Sequence, residues 1–272
     1  MNDPVIALLT DFGEDDFFVA SLKAVILSLN PQARIVNISH RIPSFDIDAA
    51  GFVLWAAYKF FPQGTIFLAI VDPGVGSRRR ILLVKTERYF FMGPDNGVLS
   101  RVLREETIEQ IREIANPSLF LSPWSRTFEG RDKMAPAAAW LSRGKDLDMF
   151  GPRVKDFKRR TGLKARIAGG EIQGRILYKD KFGNLITNIP SSLLDRLAAK
   201  KRKEPLTLFV DQERLGRLKE SYSAAKKGEV FFLVGSLGLI EISAREASAA
   251  EKIKSSLNQE IRIALTGKSV KK

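Results

Sequence analysis

Over its first seventy residues the chain alternates short apolar runs with stripes of apolar residues at helical spacing. Residues 4–10 (PVIALLT) form an apolar run closed by Asp11-Phe12-Gly13, the pattern of a buried strand ending in a polar turn. Between Asp15 and Leu29, the residues Phe18, Val19, Leu22, Val25, Ile26 and Leu29 recur at helical spacing, which predicts a helix stopped by Asn30-Pro31. Ala33 to Ile38 predicts a second strand and Ile47 to Phe60 a second helix. Thr65 to Val71 (TIFLAIV) predicts a third strand, which runs into Asp72-Pro73-Gly74-Val75-Gly76. Strand, helix, strand, helix, strand with apolar strands is the pattern of a parallel α/β sheet, where ligands gather at the carboxyl ends of strands. Asp11 and Asp72 both fall at such ends.

Beyond residue 80 the pattern thins. Ile81 to Thr86 and Tyr89 to Met92 predict a hairpin, and Ala135 to Leu141 a helix that closes a first domain near Gly151-Pro152. Short strand signals follow at Gly174 to Tyr178, Leu185 to Ile189, Leu206 to Val210, Glu229 to Val234, Gly238 to Ile242 and Glu260 to Leu265, with a polar helix near Ser191 to Lys201. The expected fold class is α/β: an N-terminal Rossmann-like α/β sheet domain (1–155), a basic linker (156–170) and a C-terminal, mainly antiparallel β domain (171–272).

Composition narrows the chemistry. With 272 residues and 44% hydrophobic content, the chain has enough apolar material for a large core. It has no cysteine, which removes thiolate nucleophiles, disulfides and zinc–thiolate sites, and its one histidine, His40, rules against a multi-histidine metal site. Carboxylates, arginines, hydroxyls and backbone amides must carry any catalysis. The formal charge of +13 raises the question of nucleic acid, but the positive residues cluster at 153–166, at 200–203 and in the tail 268–272, without interleaved aromatics that would stack bases. A solvated basic surface is the expected reading, with no nucleic-acid partner. The first residues show neither a basic segment nor a long apolar stretch, so the expectation is a cytoplasmic protein without membrane contact.

Asp11, Asp16, Asp72 and Asp180 stand in loops next to strand ends. Singly, each reads as a turn former or helix cap that bonds its own backbone. Together, in so basic a chain, they point to a locally anionic pocket for a cationic, amine- or hydroxyl-rich ligand. Gly74-Val75-Gly76 reads as a tight turn, because no phosphate-loop motif accompanies it.

Seven motifs in order carry a resemblance. They are Leu9-Thr10-Asp11-Phe12-Gly13, Asn30-Pro31, Val71-Asp72-Pro73-Gly74-Val75-Gly76, Gly93-Pro94-Asp95-Asn96-Gly97, Thr127-Phe128-x-Gly130-Arg131-Asp132, Asp180-x-Phe182-Gly183-Asn184-x-x-Thr187-Asn188 and Gly235-Ser236-x-Gly238-x-x-Glu241-Ile242. From about residue 5 to residue 265 the chain resembles the S-adenosyl-L-methionine (SAM) hydroxide adenosyltransferase family, the adenosine-forming SAM hydrolases, whose relatives include the fluorinating and chlorinating adenosyl enzymes.

The resemblance implies a homotrimer with sites at subunit interfaces, and attack of water or hydroxide on the ribose C5′ of SAM to give adenosine and L-methionine. It implies no metal and no cofactor, SAM being the substrate. Asp72 and Arg79 would belong to the water-activating set, and Glu129 stands where the family has a histidine. Asp11 would take the ribose hydroxyls, Asp16 and Asp180 the methionine amine, and Ser236 its carboxylate. Phe45 and Phe128 would wall the ribose and sulfonium, while Phe182, Asn184 and Tyr222 would frame the adenine. The glutamate adds negative charge at the nucleophile and so argues against halide chemistry. It leaves three readings open: hydrolysis with Asp72, Arg79 and Glu129 ordering and deprotonating water, SAM or adenosine binding with weak or lost turnover, and adenosyl transfer to another nucleophile.

Overall fold

The computed structural model describes residues 5–162, 164–199, 205–211 and 213–265. The basic residues at 200–203 and the basic tail lie outside the described residues. The chain divides into two compact units at Thr161 and Gly162.

In the first unit, β1 (Val5–Thr10), α1 (Phe17–Leu29), β2 (Arg34–Ser39), α2 (Ile47–Ala57) and β3 (Ile66–Ile70) follow one another, then β4 (Ile81–Thr86), β5 (Phe90–Pro94), β6 (Ile108–Glu113) and α3 (Ala135–Ser142). The six strands form one sheet in the order β2-β1-β3-β5-β4-β6. β2, β1, β3 and β5 run parallel, while β4 is antiparallel to both its neighbours. Every residue of β3 is buried, as expected of a central parallel strand covered on both faces. On one face Leu8, Leu68 and Ile70 pack with Leu22 and Ile26 of α1 and the alanines of α3. On the other, Phe67 stacks on Phe91 at 5.1 Å and meets Tyr58 and Tyr89 edge-on. This packing leaves the loops after β1 and β3 at the carboxyl edge of the sheet.

The hydrophobic pattern predicts the first five elements within a few residues. The second helix is shorter than expected, ending at Ala57 and continuing as a 3-10 turn over Tyr58–Phe60. The pattern does not predict β6, because that edge strand reads IEQIRE and offers two isoleucines among charged and amide side chains. The basic stretch after Gly151 lies along the first unit. Arg80 holds Asp156 at 2.9 Å, the Lys158 N–H donates to Asp95 at 2.6 Å, and Arg160 grips Asp48 with two bonds of 2.8 and 2.6 Å.

The second unit contains β7 (Arg166–Ala168), β8 (Glu171–Lys179), β9 (Leu185–Pro190), α4 (Ser191–Ala198), β10 (Leu206–Val210), β11 (Glu213–Arg217), β12 (Val230–Val234), β13 (Leu239–Ala244), α5 (Ala249–Ile253) and β14 (Glu260–Leu265). Its strands pair antiparallel in the order β11-β10-β14-β8-β9-β13-β12, with β7 on β8. A bridge from Leu218 to Phe232 brings the ends of this order together. Ile172, Ile176, Leu208, Phe232, Ile242 and Ile263 fill the interior, and α4 turns Leu193, Leu194 and Leu197 toward it. The unit is the mainly antiparallel β domain that the strand spacing predicts. Among the described residues, no helix is long and apolar enough to cross a membrane.

Candidate active site

The loop leaving β3 is built by its own aspartate. The Gly74 N–H donates to Asp72 Oδ1 at 3.2 Å, an Asx-type turn that folds residues 72–79 back on themselves. Gly76 takes φ +77°, and a Cβ there would lie 2.7 Å from the carbonyl oxygen of Arg126. Glycine thus permits both the left-handed turn and the close approach to the segment that carries Glu129. The fold-back brings Arg79 onto Asp72: its Nε lies 2.8 Å from Oδ1 and 2.6 Å from Oδ2, and its Nη2 also touches Oδ2. The same Nη2 reaches Glu129 Oε2 at 2.6 Å. Asp72, Arg79 and Glu129 therefore meet, as the sequence reading requires, with side chains only 5%, 10% and 5% exposed.

Glu129 precedes a single turn of π-helix, Gly130–Met134, that leads into α3. Turns of this kind occur often at functional sites, because the extra residue re-aims side chains. Both Glu129 oxygens are engaged: Oε1 accepts from Lys133 Nζ at 2.6 Å, while Oε2 takes Arg79 and a long 3.4 Å contact from the Gly76 N–H. Burial alone pushes the Glu129 carboxyl up, but the bonds and charges of Lys133 and Arg79 outweigh it and hold the group below its ordinary 4.5. Glu129 is thus a fixed anion at neutral pH, with at most the remaining lone pairs of its two oxygens facing elsewhere. Arg79 shows the complementary balance. Burial works against its charge, and the bonds to Asp72 and Glu129 overcome that and raise its pKa.

The other candidates of the first unit gather at the neighbouring strand end. Asp11 follows β1 and accepts the Phe45 N–H on Oδ2 at 2.8 Å, holding Phe45 at φ +68° with its ring 70% exposed. Asp16 occupies the N-cap position of α1 but makes no capping bond, so its exposed carboxylate stays at the positive end of the helix. Phe128 packs edge-on against Phe12 at 5.7 Å and Phe18 at 5.3 Å, with the Arg131 guanidinium 4.9 Å over its ring. His40, apart from the carboxylates, is buried and bonds Thr10 at 2.9 Å. Burial, reinforced by Lys23, lowers its pKa, which suits a neutral structural tie between the ends of β1 and β2.

In the second unit Asp180, Phe182, Asn184, Tyr222 and Ser236 all line one cavity of about 860 Å³. Asp180 shapes its rim: Oδ1 accepts the N–H groups of Phe182 and Asn184, each at 2.9 Å, and Oδ2 takes the Asn184 side chain at 2.9 Å. Gly183 permits the turn at φ +82°, where a Cβ would strike Ser248. The turn buries Asn184 while leaving the Phe182 ring 66% exposed. The sequence reading assigns no role to Glu241, which lies beneath the cavity and accepts from Tyr222 Oη at 2.5 Å and Ser243 Oγ at 2.8 Å. Its signal is its place in the Gly235–Ile242 motif. Burial and then the bond to Glu241 raise the Tyr222 pKa, so the phenol stays protonated as a donor. Among the described residues, no three His, Asp or Glu side chains are grouped to hold a metal ion.

Comparison with known proteins identifies the family. The family described as SAM hydroxide adenosyltransferase N-terminal domain matches residues 6–151, and the corresponding C-terminal domain matches residues 174–262. The chain is 31% identical over 258 residues to the (R)-S-adenosyl-L-methionine hydrolase of Thermus thermophilus, covering 91% of this chain and 94% of that protein. A fluorinase from Actinoplanes is more distant, at 26% identity over 72% of this chain and 74% of its own. The crystal structure of an uncharacterized conserved protein from Thermotoga maritima superposes with a TM-score of 0.90 at 34% identity, covering 95% of this chain and 99% of that one. Matched in both domains and along nearly its whole length, the chain belongs to the SAM hydroxide adenosyltransferase family.

Proposed function

We propose that the chain hydrolyses SAM to adenosine and L-methionine, with Asp72, Arg79 and Glu129 fixing the attacking water. The observation that carries the reading is the buried Asp72–Arg79–Glu129 cluster at the end of β3, in a chain similar to SAM hydrolases along most of its length. In the proposed step the water oxygen forms a bond to C5′ as the C5′–sulfur bond breaks. The bonding pair leaves with sulfur, which becomes the neutral thioether of methionine, and the water loses one proton. The sulfonium is already an excellent leaving group, so placing the water in line supplies much of the acceleration. Proton loss becomes favourable as the oxygen acquires positive character, and a fixed carboxylate suffices to accept the hydrogen bond that guides it. Asp72 is assigned that role. Glu129, bonded by Lys133 and Arg79, is assigned to hold Arg79 in place. No metal or cofactor takes part in this proposal, and its other members are the homotrimer and the substrate contacts that the family resemblance implies for Asp11, Asp16, Phe45, Phe128, Asp180, Phe182, Asn184, Tyr222 and Ser236.

The engagement of both carboxylates, Asp72 by Arg79 and the Gly74 N–H and Glu129 by Lys133 and Arg79, also favours a second reading, SAM binding with little turnover. Chromatography of purified protein incubated with SAM separates the two. Adenosine and methionine appearing in equal amounts, well above the buffer rate, support hydrolysis; saturable SAM binding without adenosine supports the binding reading.

A further inference from the structure

Lys133 stands out among the buried charges. Its side chain is 14% exposed, and its ammonium lies 3.9 Å from the Trp124 ring centroid and 5.4 Å from that of Phe120. The one anion it bonds is Glu129, four residues earlier, at 2.6 Å. Without it, the cluster would hold two carboxylates against one guanidinium, an unbalanced negative charge among nearly buried side chains. With it, the four side chains sum to zero. Lys133 also decides how Glu129 is used: by taking Oε1 it leaves Oε2 for Arg79 and the Gly76 N–H.

We propose that Lys133 is a positioning residue of this site, the counter-ion that lets a glutamate stand beside Asp72 and Arg79, so that Glu129 and Lys133 act as one unit. The proposal rests on the hydrolase reading for its effect on turnover, while the pairing itself is independent of it. The charged groups around Glu129 are few. On its own turn, Arg131 is bound to Asp132, leaving Lys133; from the loop after β3 come Asp72 and Arg79. Of the packed helices, α1 carries only Lys23 and α3 carries no charged residue.

The test is a double-substitution cycle, Lys133→Met, Glu129→Gln and both together, with Lys133→Arg as the conservative variant. Methionine keeps an unbranched apolar stem against Trp124 and removes only the charge. Lys133→Met should lower kcat, and lower it more in acid than at pH 8, moving the acid limb up as Glu129 becomes easier to protonate. Lys133→Arg should recover most of that loss. In the Glu129→Gln background the sign should reverse: Lys133 is then an unbalanced cation, and removing it should help. Equal loss from Lys133→Met in both backgrounds, or an unmoved acid limb, would overturn the proposal in favour of simple packing on Trp124. The same cycle read as Tm against pH needs no turnover. Glu129, held low in the folded state, contributes stability that is present above pH 4.5 and lost as pH falls through its folded value. Lys133→Met should move that loss to higher pH, so a failure of the pairing is distinguishable from a failure of the hydrolase reading.

Discussion

Arg79→Met is expected to abolish SAM cleavage and to lower the stability of the first unit by roughly 3–5 kcal/mol, the usual consequence of removing one partner from a buried ionic set. Arg79 donates from Nε to both Asp72 oxygens and pairs with Glu129 besides, so its loss leaves the nearly buried Asp72 with only the Gly74 N–H, and Glu129 with Lys133 and the long Gly76 contact. For a unit of this size the loss amounts to a fall in Tm of about 10 °C. The effect should depend on pH in a definite direction. Without the guanidinium Glu129 is easier to protonate, so the deficit is largest at neutral pH and shrinks as acid neutralises it. Thermal melting of wild type and variant between pH 4 and pH 8 reads this directly. A deficit that stays constant with pH would mean that lost packing, rather than unpaired charge, is the cause.

Asp72→Asn tests the chemistry while keeping the turn. The amide oxygen can still accept the Gly74 N–H, so the turn should form, but the anion facing the water is gone. We expect kcat to fall by roughly two to four orders of magnitude, the range typical of a group that assists proton transfer. KM should change little, because Asp72 is assigned to the water and not to SAM. Steady-state kinetics with SAM measure both. A rise in KM with kcat preserved would reassign Asp72 to substrate binding.

Much of this was legible before any coordinates, and the exceptions have physical reasons. β3 is apolar at every position, and β1 at every position before its closing Thr10, because both faces of a central parallel strand are covered, so composition alone reveals them. β6, β7 and β11 are edge or short strands that carry charged residues without a regular apolar alternation, and their existence depends on a partner strand that periodicity cannot see. The five candidates of the second unit line one cavity, although Tyr222 belongs to none of the motifs. Asp180 behaves as the ordinary reading of an aspartate in a turn predicts, bonding backbone two and four residues on, and this same bonding aims Phe182 outward. Glu129 required more than its neighbours in sequence. Its partner Asp72 is 57 positions away by residue number and meets it only through Arg79. Lys133, four residues on, was visible as a spacing but not as a partner, because a lysine at that distance is as often solvated.

The most direct test of the account is hydrolysis of SAM in water enriched in oxygen-18, followed by mass spectrometry of both products. Attack of water on C5′ places one heavy oxygen in the adenosine, at its 5′-hydroxyl, and none in the methionine. Adenosine without the label, label in the methionine, or no adenosine above the buffer rate would contradict it.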